Sequence, residues 1–289
     1  MGFWITALSF LLWGLMPPYW KFYNGCDPLE LIAHRIFWGF ITISIIFFFR
    51  GEILNFLTNL KDKKCVRLHV LSAALILINW LTFVWAVINN RILDTSLGYY
   101  LVPMLNVAIG RFILHEELRM MRKWAISLAF IGVVILFVIA GKVPIPALIL
   151  AGTFSIYGLI SKHTTLGAMQ RMGMECLLLM PLAMGYLCWM ALHNKGLLLG
   201  EHGNFLQWFT PTTGIITITP LILFTWGAQR VEFSTVGLLQ FIGPSLSFVF
   251  AVIVYKESFT PSMAIAFACI WTALTLYSID LLKHRKKLI

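Results

Sequence analysis

Two short stretches decide how this chain is built: Ala7-Leu-Ser-Phe-Leu-Leu-Trp-Gly-Leu15 and Ala151-Gly-Thr-Phe-Ser-Ile-Tyr-Gly-Leu159. They lie 144 residues apart and set Phe10, Trp13 and Gly14 against Phe154, Tyr157 and Gly158. Further along, an offset of 141 pairs Phe83 with Phe224, Trp85 with Trp226, Pro103 with Pro244 and Glu116 with Glu257. Proline and glutamate are separated by 13 residues in both copies. Any single pair is easily a coincidence in an apolar chain. Several landmarks in one order at a nearly constant offset are a repeat.

Composition says where the repeat sits. Of 289 residues, 60% are apolar and 12% charged, with a mean hydropathy of +0.85. Soluble domains are about half apolar and a quarter charged, so this is a membrane composition. A spanning helix needs roughly 20 apolar residues. Apolar windows fall near 2–22, 28–49, 68–88, 95–115, 123–140, 146–161, 173–193, 211–229, 235–255 and 261–282. The expectation is an all-α polytopic membrane protein of ten transmembrane helices, with repeats over 1–141 and 142–289. Five helices per repeat is an odd number, so the second copy enters the bilayer from the opposite side. A 5+5 inverted repeat is the architecture of alternating-access carriers, with the substrate site near the midplane.

Sixteen of the 22 lysines and arginines fall in segments that are cytoplasmic if both termini are cytoplasmic, and five fall outside. Arg122 and Arg171 are among the sixteen. The positive-inside rule then places both ends, and the 50–67 loop, in the cytoplasm. The net charge of +10 is spread over these short loops, which points to anionic lipid and not to nucleic acid. Five scattered cysteines lack metal or CxxC spacing, so neither a metal nor another cofactor is expected. The first apolar run has no basic leader or cleavage site and reads as a retained helix. No catalytic motif of the HExxH or GxSxG kind is present, which argues against a membrane enzyme.

The stretches Glu30-Leu-Ile-Ala-His34-Arg35, Asn79-Trp80 to Trp85-Ala86-Val87, Ser96-Leu-Gly98-Tyr99 with Pro103, and Gln240-Phe-Ile-Gly243-Pro244 resemble those of RarD-type permeases. That group belongs to the EamA branch of the drug/metabolite transporter superfamily, and the resemblance runs along nearly the whole chain. It implies ten helices in a 5+5 inverted arrangement and a plasma-membrane carrier for small metabolites or drugs. A flippase or nucleotide-sugar-type carrier is the alternative within the superfamily. A monomer and a homodimer both fit.

Polar residues inside apolar windows mark the candidate site, because each is costly in hydrocarbon without a partner or a wet cavity. Arg35 lies seven residues into the second window, roughly 10 Å deep. It snorkels, pairs with Asp27 or Glu30, or faces a cavity. In a cavity its fork suits a carboxylate or phosphate. His34 shares a face with Glu30, four residues away, and fits either proton coupling or a bond that fixes Glu30. Asn79, Trp80, Tyr99 and Gln240 should face the bundle or cavity, with Trp13 and Tyr157 as repeat-related aromatics along the path. Pro103 and Pro244 are expected hinges, since a mid-helix proline frees a carbonyl and permits bending. Glu116 and Glu257 are expected to cap turns or pair with nearby bases.

Overall fold

The computed structural model describes residues 1–23, 25–88, 92–140, 145–197, 203–249 and 261–284. Every regular element among them is helical. The first half holds α1 (Gly2–Gly14), α2 (Pro17–Trp20), α3 (Pro28–Arg50), α4 (Ile53–Asn59), α5 (Lys63–Ile88), α6 (Ile92–Phe112) and α7 (Met120–Ala140). The second holds α8 (Ile145–His163), α9 (Ala168–Leu192), α10 (Asn204–Phe209), α11 (Thr212–Ala228), α12 (Phe233–Leu239), α13 (Ile242–Val249) and α14 (Pro261–His284). Among the described residues, six segments are long and apolar enough to cross a membrane: Pro28–Arg50, Lys63–Ala86, Met120–Val138, Ile145–His163, Ala168–Leu192 and Asn204–Ala228.

Local chemistry sets the ends. Asp27 caps α3 by accepting from the Leu29 amide at 3.0 Å, with Pro28 in the first turn, the favoured arrangement for an N-terminus. Gly51 closes α3 at φ 65°, a left-handed turn that costs glycine little. Two expected helices are broken. The first ends at Gly14, because Pro17 disfavours helical backbone at Met16. The ninth breaks between Leu239 and Ile242, because Pro244 has no amide for the Gln240 carbonyl. Pro103, by contrast, sits inside a continuous α6. The two expected hinges therefore occupy different local structures here.

The surface is apolar: Phe49 and Trp208 are each 81% exposed, and Trp124 is 68% exposed. Such a surface is at home against acyl chains. Trp85 also faces outward, at 48% exposed. Inside, Phe224 is ringed by Phe10, Trp13, Phe154 and Tyr157, with centroids 5.5–6.3 Å away. The repeat-related aromatics of the two opening stretches thus meet at one point. Helices approach closely where side chains are small. A Cβ on Gly132 of α7 would lie 2.7 Å from the Ala266 carbonyl of α14, and one on Gly237 of α12 would lie 2.8 Å from that of Pro103 in α6. The second contact makes α6 and α12 cross at the proline.

Buried charge appears where solvated loop cations were expected. Arg171 is fully buried at the start of α9. Its Nε donates to Glu175 Oε1 at 2.6 Å and its Nη2 donates to Ser72 Oγ at 2.7 Å. Tyr157 donates to the other oxygen of Glu175 at 3.0 Å and lies under the guanidinium at 4.3 Å. Arg122 is 4% exposed and pairs with Asp280 at 3.0 Å and with Glu232. Both arginines lock helices together. Glu116 behaves as expected of a cap: its carboxylate accepts from the Phe233 and Ser234 amides at 2.6 and 3.0 Å, holding the start of α12. Glu257 lies outside the described residues.

Candidate substrate site

Arg35 projects from α3 into a wall built by both halves of the chain. Its Nε donates to Thr217 Oγ1 of α11 at 2.9 Å. The guanidinium carbon lies 4.9 Å from the Trp20 ring centre and 4.5 Å from that of Trp80, on α2 and α5. Tyr19 and Tyr99 are close enough to feel its charge. Tyr19 is held in turn by Thr212 Oγ1 at 2.8 Å, and the Tyr99 ring sits 6.0 Å from that of Phe83.

The alternative of a structural ion pair fails on geometry. Asp27 is engaged by the Leu29 amide and the Tyr186 hydroxyl. Glu30 accepts from the Leu197 amide at 2.6 Å and meets His34 Nε2 at 3.3 Å. Among the described residues, no carboxylate lies within ion-pair distance of Arg35. Cation–π contacts with two indoles offset part of the cost of a charge in the membrane. They leave its formal charge unbalanced.

The other candidates divide into two groups. Trp80 and Tyr99 stand beside Arg35, and Trp13 borders the same core; all three are partly open. His34, Asn79, Tyr157 and Gln240 are buried against protein partners. His34 is fully buried on Glu30, with Nδ1 unbonded. Asn79 Nδ2 donates to the Leu150 carbonyl and Thr153 Oγ1 at 2.9 and 3.0 Å, tying α5 to α8. Gln240 Oε1 accepts from Asn106 Nδ2 at 3.0 Å where α6 crosses α12. Tyr157 belongs to the Arg171–Glu175 network.

Tyr19, Trp20 and Thr217 were not foreseen. The first two carried a signal, an aromatic pair directly after the Pro17-Pro18 break. Thr217 carried none, being one hydroxyl in an apolar run.

Comparison with known proteins bears on the family and the fold. Residues 1–138 match the EamA-like transporter family. An uncharacterized transporter of Vibrio cholerae is 37% identical over 98% of this chain and 93% of its own. Protein RarD of Salmonella typhimurium is 34% identical over 99% and 97%. One solved crystal structure shares the fold with a TM-score of 0.72 at 19% identity, covering 96% of this chain and 97% of its own. Identity at this level over nearly the whole chain shows that the chain belongs to the EamA-like transporter family, among its RarD-type permeases, and is a membrane transporter.

Proposed function

We propose that the protein is a secondary transporter that moves a small metabolite or drug-like molecule across the cytoplasmic membrane by alternating access. It does so with ten spans in two inverted sets of five and with both termini in the cytoplasm. The packing supports the pseudo-symmetry. In span order α1 is first, α3 second, α5 third, α6 fourth and α7 fifth; α8, α9, α11, α12–α13 and α14 follow as sixth to tenth. Among the larger packed pairs are α3–α9, α7–α14, α1–α11, α5–α8, α6–α8 and α1–α13. Exchanging the halves carries the first two pairs onto themselves, the third onto the fourth and the fifth onto the sixth. A contact scheme that survives this exchange is what two mirrored access states need.

The observation that carries the reading is Arg35: a cation deep in a span, walled by both halves, without a counter-charge among the described residues. An intramembrane ionisable residue of this kind marks a substrate path. Its open donors receive the polar end of the substrate, and Trp80, Tyr99 and Trp13 receive the body. Counterflow in liposomes against amino acids, organic acids and drugs identifies the substrate class. Arg35→Ala should then reach the membrane at normal levels and fail to move that substrate. Degradation of Arg35→Ala, with normal transport by Arg35→Lys, makes the charge structural and removes the site.

A further inference from the structure

We infer that the Arg35 site takes a monovalent organic carboxylate, and discriminates against both zwitterionic amino acids and dianionic phosphates. The inference rests on Arg35 as the substrate anchor and goes further by counting what surrounds it.

A guanidinium offers five N–H donors in a planar fork. Nε is taken by Thr217, and the terminal nitrogens have no protein acceptor among the described residues. The terminal edge presents two parallel donors, which match the two oxygens of a carboxylate. The nearby groups on Tyr19, Tyr99 and Thr217 are hydroxyls and not carboxylates. The wall therefore carries a net charge of one positive unit.

Three ligand types respond differently to that wall. A monocarboxylate neutralises the charge and fills the fork. An α-amino acid brings an ammonium as well, and that group needs a carboxylate or a free aromatic face. The two nearest carboxylates on α3 and its cap are already bonded, Asp27 to Tyr186 and Glu30 to Leu197 and His34. The Trp20 and Trp80 faces already hold the guanidinium itself. A phosphate monoester brings a second negative charge that nothing in the wall balances, and an unbalanced charge is expensive at low dielectric. A flat apolar body extending away from the fork then meets Tyr99, the neighbouring ring that the guanidinium does not cover.

The test uses the purified full-length protein in detergent and four probes built on one ring: phenylacetate, L-phenylalanine, phenethylamine and phenyl phosphate. Phenylacetate should bind at least tenfold more tightly than the other three. Arg35→Gln should abolish that preference, and Arg35→Lys should keep it at weaker affinity, because the charge remains while the fork is lost. Phenylalanine or phenyl phosphate binding as tightly as phenylacetate, with loss in Arg35→Gln, overturns the monoanion inference and leaves Arg35 as anchor. Binding equal in wild type and Arg35→Gln removes the anchor itself. Absence of binding by phenylacetate, benzoate and short aliphatic carboxylates alike also overturns the inference.

Discussion

Breaking the buried pair of Arg171 and Glu175 one partner at a time should cost far more than removing both. Arg171 is fully buried and Glu175 is 3% exposed, so neither can turn to water when its partner goes. Arg171→Met strands a carboxylate that keeps only the Ser72 and Tyr157 hydroxyls. Glu175→Gln strands a guanidinium whose Nη1 already lacks a partner. Removing one member of a buried pair typically costs about 3–5 kcal/mol. At about 1.4 kcal/mol per decade, that is a rise of roughly a hundred- to several-thousand-fold in the unfolding constant. The double variant Arg171→Met/Glu175→Gln leaves no buried charge, and its amide can still bond both hydroxyls. It should recover most of the loss, with a coupling energy of about 2 kcal/mol or more. Unfolding titrated with SDS in mixed micelles, followed by thiol-dye reaction at the buried Cys26, reads all four corners of the cycle. Additive single costs, or singles below about 1 kcal/mol, refute the network as a lock between α5, α8 and α9.

Three further outcomes follow from the architecture. A cysteine probe at Lys63 should be shielded from an impermeant reagent outside intact cells while one at Asn194 is labelled; reaction of both rejects the orientation. Pro244→Ala supplies the amide that the Gln240 carbonyl lacks and should join α12 to α13, whereas Pro103→Ala stiffens α6 at its crossing with Gly237. Reporter cysteines near Tyr99 and Gln240 should then change accessibility in opposite senses, and the same shift in both variants rules out symmetric hinges. Glu116→Ala bares two amides at the start of α12, at a cost of about 1–3 kcal/mol. Hydrogen exchange at Phe233 and Ser234 should accelerate, and unchanged exchange shows that the carboxylate does not hold that turn.

Much of this was legible in the chain itself. The membrane class follows from composition, because a bilayer selects for long apolar runs whatever they later pack against. That Glu116 caps a turn or pairs with a nearby base was visible for local reasons, though not that the turn is the one at Phe233 and Ser234 in the other half. So was the cost of Arg35, which depends on depth and not on neighbours. The Arg171–Glu175 pair was legible in principle: acid and base four residues apart on one helix is a readable spacing, but the charge count placed Arg171 in a loop while the seventh window placed Glu175 inside a span. Burial alone distinguishes them, and burial depends on what the other helices bring.

Periodicity, composition and repeat offsets are properties of one strand of sequence, so they sufficed for the helical membrane class, while the family came from the resemblance of the quoted motifs. Contact between distant segments is not such a property. The chain alone does not show that Trp20, Trp80, Thr217 and Tyr99 converge on Arg35, or that Asp27 and Glu30 are spoken for by Tyr186 and Leu197. Nor does it show that His34, Asn79, Tyr157 and Gln240 turn to protein partners. Those choices depend on helix rotation and crossing, set by where small residues such as Gly132 and Gly237 let backbones meet. Only the folded bundle decided which of the polar residues stayed unpaired.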